Sequence, residues 1–109
     1  MSLTVNLYYT GTNGDAQKFA QDMIKEGIVD QIRAEKGNLK YNYFVALDDP
    51  ETVLLIDSWE NQEALDQHHD SSMMDSLAQL REKYNLHMKV ERYQDDSIDD
   101  NHDEKFIRH

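Results

Sequence analysis

Apolar and polar residues alternate near both ends of the chain and take helical spacing in between. In residues 3–10, Val5, Leu7 and Tyr9 alternate with Thr4, Asn6 and Tyr8, the period of two that marks a strand. The run GTNGD breaks that pattern, and Asn13 or Asp15 is placed to cap the helix that follows. From about Ala16 to Ala34, the residues Ala16, Phe19, Ala20, Met23, Ile24, Ile28 and Ile32 keep helical spacing. Gly27 weakens the middle of that helix and can kink or interrupt it, and Gly37 suits a left-handed cap at its end.

The segment NLKYNYFVAL alternates Leu39, Tyr41, Tyr43, Val45 and Leu47 with polar and smaller residues. DDPE reads as a turn, since Pro50 cannot donate a ladder hydrogen bond, and TVLLIDSW reads as the returning strand of an antiparallel hairpin. Asn61 can cap a short helix through Ala64, Leu65 and His68. Ser72 and Asp75 make a capping-box-like pair for a second helix, with Met73, Leu77, Leu80 and Tyr84 as its buried stripe. Residues 86–93 alternate Leu86, Met88 and Val90 with His87, Lys89 and Glu91, a fourth strand. The order β-α-β-β-α-β predicts an α+β, ferredoxin-like fold with an antiparallel four-stranded sheet. Helices cover only one face of such a sheet. The third strand is apolar on both sides, so the second face also needs cover, and a homodimer joined sheet to sheet supplies it.

Composition narrows the partners. The 109 residues suit one domain over 1–93, with 39% hydrophobic residues for its core, followed by an acidic tail over 94–109. That tail holds six acids and two bases and is expected to be a flexible extension, on which Phe106 and Ile107 could still dock. With 22 Asp+Glu against 11 Lys+Arg, the net charge of -11 disfavours nucleic acid and anionic membranes. The absence of cysteine removes disulfides, thiolate metal sites and cysteine nucleophiles. The start MSLTVNLYYT does not read as a signal peptide and no apolar run approaches a membrane span, so a cytoplasmic location is expected.

The segments AEKGNLKYNYF and VLLIDSWENQEALDQHHDS, with the DDP turn and the element order, resemble the antibiotic biosynthesis monooxygenase family. The most specific match is the pattern of Asp57, Trp59, Ala64, Leu65 and His68; Glu35 through Leu39, E-x-G-N-L, is a second match in the right order. The resemblance covers roughly residues 3–93. It implies a dimeric α+β barrel with a small-molecule pocket between sheet and helices. Characterised members include cofactor-independent monooxygenases of phenols or quinols; others degrade haem, process autoinducers or only bind ligands. Fold and family leave the reaction open.

The candidate site is argued residue by residue. His68 follows Leu65 by three residues and Ala64 by four, which puts it on the apolar face of its helix. His69 is turned about 100° from it and is expected on the flank or surface, not in the same pocket. His68 is the candidate base, taking a proton from a phenolic or enolic substrate whose anion then meets dioxygen. The competing reading is a structural histidine bonded to a strand carbonyl. Asp57 and Trp59 share a strand face. Asp57 either orients His68 or forms an ion pair with Arg33, Lys40 or Arg92. Trp59 is assigned to core and pocket wall, stacking a planar ligand. By the resemblance Asn6 belongs in the pocket, although a one-residue change of register would flip its face. Tyr41 and Tyr43 share a face and either line the site or cover the dimer side; Tyr43 is carried as a substrate-binding candidate.

No cofactor and no metal are expected. The family's haem-degrading branch takes its axial ligand about ten residues beyond the position of His68, where SLAQLREK holds no histidine. No HxxxH, HExxH or glycine-rich nucleotide fingerprint occurs. The leading expectation is a cofactor-independent monooxygenase acting on a small aromatic or quinol-like ligand. The alternatives are a non-catalytic binding or regulatory module, or an isomerase-like enzyme that does not use dioxygen.

Overall fold

The computed structural model describes residues 2–96 and 101–108, except for the side chains of residues 101 and 102. Eight main elements follow in order: β1 (Leu3–Thr10), α1 (Asp15–Lys25), α2 (Ile28–Arg33), β2 (Asn38–Ala46), β3 (Asp49–Trp59), α3 (Gln62–His69), α4 (Met73–Lys83) and β4 (His87–Gln94). The four strands form one antiparallel sheet in the order β2-β3-β1-β4. This is the expected α+β, ferredoxin-like arrangement, with each predicted helical region divided in two.

The first division falls at Gly27, whose φ of 79° is left-handed and ends α1. The second falls at Asp70–Ser72, where the Ser71 hydroxyl donates to the His68 carbonyl at 2.7 Å. Caps are mixed. Asn61 Oδ1 accepts from the Ala64 amide at 2.8 Å, as expected. At α1 neither Asn13 nor Asp15 caps: Asn13 and Gly14 both take positive φ, and the Gly14 amide donates to Glu51 Oε1 at 2.9 Å. Ser72 is helical and makes no side-chain cap, so the expected capping box is not formed.

The hairpin turn lies at Leu47 and Asp48, not at Pro50, which is the second residue of β3. The strand tolerates it because the β2–β3 register shifts between Val45 and Ala46, and ladder pairing with β1 reaches only Thr52.

The core lies between the sheet and the helices. Ala16, Phe19, Ala20 and Met23 of α1 and Ile28, Val29 and Ile32 of α2 are buried over Leu3, Tyr9, Tyr41, Val53, Leu55 and Trp59 of the sheet. Tyr9 packs on Phe19 at 5.0 Å between ring centroids, and Phe19 meets Tyr43 edge-on at 6.3 Å. Leu39, Val45 and Leu47 are exposed, against the alternation expected for β2, because β2 is an edge strand with irregular register at both ends.

The tail contains a short 3-10 helix, Asn101–Phe106, which the sequence did not suggest. Phe106 and Ile107 are exposed. Residues 97–100 and 109 of the tail lie outside the described residues. Among the described residues no helix is long and apolar enough to cross a membrane.

Candidate active site

The site begins at the turn after α2. The Glu35 amide bonds to the Ile32 carbonyl, Gly37 takes φ 86°, and the Asn38 amide returns to the Glu35 carbonyl. A Cβ on Gly37 would lie 2.5 Å from Ala64 Cβ, so the missing side chain lets this turn approach α3. The Glu60 amide donates to the Gly37 carbonyl at 2.8 Å and ties the end of β3 to the same turn. Glu35 is thereby carried to the buried face of α3.

There it meets His68. The imidazole Nδ1 lies 2.8 Å from Glu35 Oε1, and the residue is only 3% exposed. With the Glu35 carboxylate as acceptor, Nδ1 donates the proton of this bond and Nε2 is the nitrogen left to meet a ligand. The ring is also stacked on Trp59, with centroids 4.8 Å apart and planes inclined by 25°. Two contacts therefore set its position and its tautomer.

Beside this pair lies a cavity of about 310 Å³ between α3–α4 and the β1–β4 half of the sheet. Val5, Leu7, Leu55, Leu65 and Leu77 give it apolar walls. His68 and Asp57 supply polar groups, Tyr9 and Tyr41 supply aromatic surface, and Met74, Met88, Val90, Arg81 and Arg92 complete the lining. Its size falls at the lower end of small-molecule sites, ~300–1,000 Å³.

Asp57 is buried and accepts from Trp59 Nε1 at 2.6 Å. Burial pushes its pKa up to about 6; the indole hydrogen bond and the neighbouring His68 pull the other way, and the charge of Glu35 adds to the rise. Burial pushes Tyr9 up to about 12, with Arg81 opposing, and raises Tyr41 well above the ordinary phenol range. These tyrosines are neutral hydroxyls at pH 7.

The candidates separate by position. His68 and Asp57 line the cavity together. The hydrogen bond on the imidazole, assigned to Asp57 as orienter, is made by Glu35; Asp57 is engaged with Trp59 instead. Neither Arg33, Lys40 nor Arg92 pairs with Asp57: Arg33 donates to the Tyr41 carbonyl, and Lys40 is paired with Ser58 on the opposite sheet face. Trp59 is fully buried behind His68 and does not line the cavity, because the imidazole occupies the ring face meant for a ligand. Tyr43 shares β2 with the cavity residue Tyr41 but does not itself line the cavity; its ring is edge-on to Tyr41 and Phe19. Asn6 alternates with cavity residues Val5 and Leu7 and pairs with Ile56 and Glu91, so it belongs to the open face of the sheet. His69 reaches the cavity mouth, contrary to expectation: the cavity extends toward β4, and a ring 5.7 Å from that of His68 still borders it. Burial lowers the pKa of His69, as does His68.

The sequence pattern assigns no site role to Glu35 or Arg81, and gives Arg92 only that of a possible partner for Asp57. Glu35 opens the E-x-G-N-L segment, so its position was marked although its role was not. Arg81 is four residues after Leu77 on α4, and Arg92 continues the Met88, Val90 alternation of β4; both faces were readable by periodicity. Among the described residues no group of three or more His, Asp or Glu is placed to hold a metal ion.

Solved structures share this fold. A candidate antibiotic biosynthesis monooxygenase from Deinococcus radiodurans superposes with a TM-score of 0.76 at 19% identity, covering 92% of this chain and 97% of that one. A second candidate of the same description, from Nitrosomonas europaea, gives 0.77 at 13% identity, covering 89% and 92%. SnoaB, a cofactor-independent oxygenase from Streptomyces nogalater, gives 0.73 at 10% identity, covering 91% and 98%. No curated protein matches the sequence. The family model for antibiotic biosynthesis monooxygenases matches residues 2–80, so with most of its length accounted for the chain belongs to that family.

Proposed function

We propose that this protein is a cofactor-independent monooxygenase of a small aromatic or quinol-like substrate, with His68 as its base. The observation that carries the reading is the buried Glu35–His68 pair at the edge of an apolar cavity of about 310 Å³. Glu35 holds the proton on Nδ1 and stabilises the imidazolium that forms when Nε2 takes the substrate's hydroxyl proton. The resulting phenolate is electron-rich at its ring carbons and reduces dioxygen directly. Addition of oxygen at a ring carbon gives a hydroperoxide, and loss of water leaves a carbonyl. One oxygen atom enters the product and the other leaves as water, with the substrate supplying all four electrons. The apolar walls disfavour water near the anion and favour dioxygen. Asp57 serves as a polar contact for the substrate. SnoaB, which shares the fold, supports the reading by its own description.

The proposed assembly is a homodimer through the open sheet face. That face carries Tyr8, Phe44, Leu54, Ile56 and Tyr93, and the side-chain oxygen Oδ1 of Asn6 is buried there without a partner. Light scattering tests it: a monomer at micromolar concentration would sink the assembly.

Oxygen uptake and product formation with a panel of hydroxynaphthalenes and quinols test the chemistry. The expected stoichiometry is one dioxygen per product. His68→Gln should lower kcat by about 10²–10⁴, the usual contribution of a general base. Glu35→Gln should act more mildly and shift the pH profile. Unchanged turnover in His68→Gln would remove the proposed base.

A further inference from the structure

The cavity also holds two guanidinium groups that proton abstraction and oxygenation do not require. Arg81 of α4 and Arg92 of β4 both line it, in a chain with 22 Asp+Glu against 11 Lys+Arg. Despite that excess of acids, neither makes an ion pair with a carboxylate among the described residues. Arg92 donates to the side-chain oxygen of Gln62, and Arg81 donates to the Met88 sulfur at 3.5 Å and to the Tyr9 hydroxyl, all uncharged acceptors. A thioether is a weak acceptor. A guanidinium beside apolar walls is matched far better by a planar oxyanion, which accepts two parallel hydrogen bonds from its fork.

The two ends of the cavity differ. Val5 of β1 pairs with Asp57 on one side and Arg92 on the other, and His68 is at this end. Tyr9, four residues along the same strand, pairs with Met88, the residue that Arg81 contacts. Four strand residues span roughly 13 Å. The base end and the Arg81 end are thus separated by about the length of a two-ring aromatic with a substituent at each end. Arg81 is half-buried and Arg92 is exposed at the mouth, so the inner of the two cations is Arg81.

We propose that the ligand of this cavity is an aromatic carboxylate, with its hydroxyl at His68, its ring system along Leu7 and Leu77, and its carboxylate on Arg81. Arg92 at the mouth offsets the repulsion that a strongly acidic protein exerts on an incoming anion. This inference rests on the cavity being the ligand site, but it concerns charge recognition and needs no turnover.

The probes are 6-hydroxy-2-naphthoate and its neutral amide, 6-hydroxy-2-naphthamide, titrated calorimetrically under anaerobic conditions. The acid should bind about 10–100-fold more tightly than the amide, the scale of one charge-assisted pair. Arg81→Met should reduce that ratio to under about threefold with amide binding unchanged. Arg81→Lys should keep part of the preference, and thermal unfolding of each variant checks that the fold persists. Equal binding of acid and amide, failure of both to bind, or a preference that survives Arg81→Met would each overturn the proposal. Acid preference without oxygen uptake would retain it and remove the oxygenase reading. Oxygen uptake on neutral quinols with no charge preference would do the reverse.

Discussion

One sheet supports two unlike halves. Over β2 and β3, helices α1 and α2 contribute seven buried residues, and Phe19, Met23 and Ile32 among them are wholly enclosed. Over β1 and β4, α4 buries only Leu77 and Leu80, and no residue of β4 is fully buried. The first half is a filled core. The second is walled by Val5, Leu7 and Leu77 around open space, with His68 and Asp57 at the boundary between them. Packing on one side anchors the groups that face the cavity on the other: Trp59, buried in the core, holds both the His68 ring and the Asp57 carboxylate.

Truncations on the two sides should differ most. Phe19→Ala should destabilise by about 3–5 kcal/mol, because it empties a close-packed site. Leu77→Ala borders space already empty and should fall near or below the low end of the range for buried leucine, about 2 kcal/mol. Urea unfolding of both variants measures this; equal losses would mean the cavity half is packed as tightly as the other.

Gly37→Ala tests the link between the halves. It meets a positive φ and a Cβ contact of 2.5 Å with Ala64, two penalties of about 1–3 kcal/mol each. The double variant Gly37→Ala with Ala64→Gly should recover the contact penalty and keep the backbone one. If the single variant matches the wild type in thermal unfolding, the turn does not constrain α3.

The smallest effect concerns Asp57. Its folded pKa of about 6 is above the ordinary carboxylate value of 3.8. Between these values the folded state binds more protons than the unfolded one, so stability falls as pH rises through that window. The accumulated loss by pH 7 is on the order of 2–3 kcal/mol. Asp57→Asn retains an acceptor for Trp59 Nε1 and should be more stable than wild type at pH 7. Its stability should also vary less between pH 4 and 6. Denaturant unfolding across that range checks it; a parallel pH dependence in both proteins would assign the effect to another group.

Much of the site was legible, but unevenly. Helical spacing from Ala64 and Leu65 was enough to place His68 inward, and strand alternation was enough to put Asp57 and Trp59 on one face. Asn6 shows the limit of that logic: the alternation was readable, but only strand pairing told which face holds the cavity. Trp59 shows another limit, since a buried aromatic can meet a ligand or a protein ring, and here α3 brings the His68 ring against it. Glu35 stands out in the sequence for its segment and not for its carboxylate, because its partner lies 33 residues away.

By itself the sequence determined the β-α-β-β-α-β order and the inward placement of Phe19, Met23 and His68, and it marked Gly27 as the weak point of the first helical region. These follow from periodicity and from the conformations a residue can adopt, which are local properties of the chain. The tertiary structure alone decided that Glu35 and not Asp57 holds His68, that Trp59 backs the imidazole and that Arg81 and Arg92 border one cavity. Those are contacts between distant segments, set by how the halves pack over the sheet, and spacing along the chain carries no record of them.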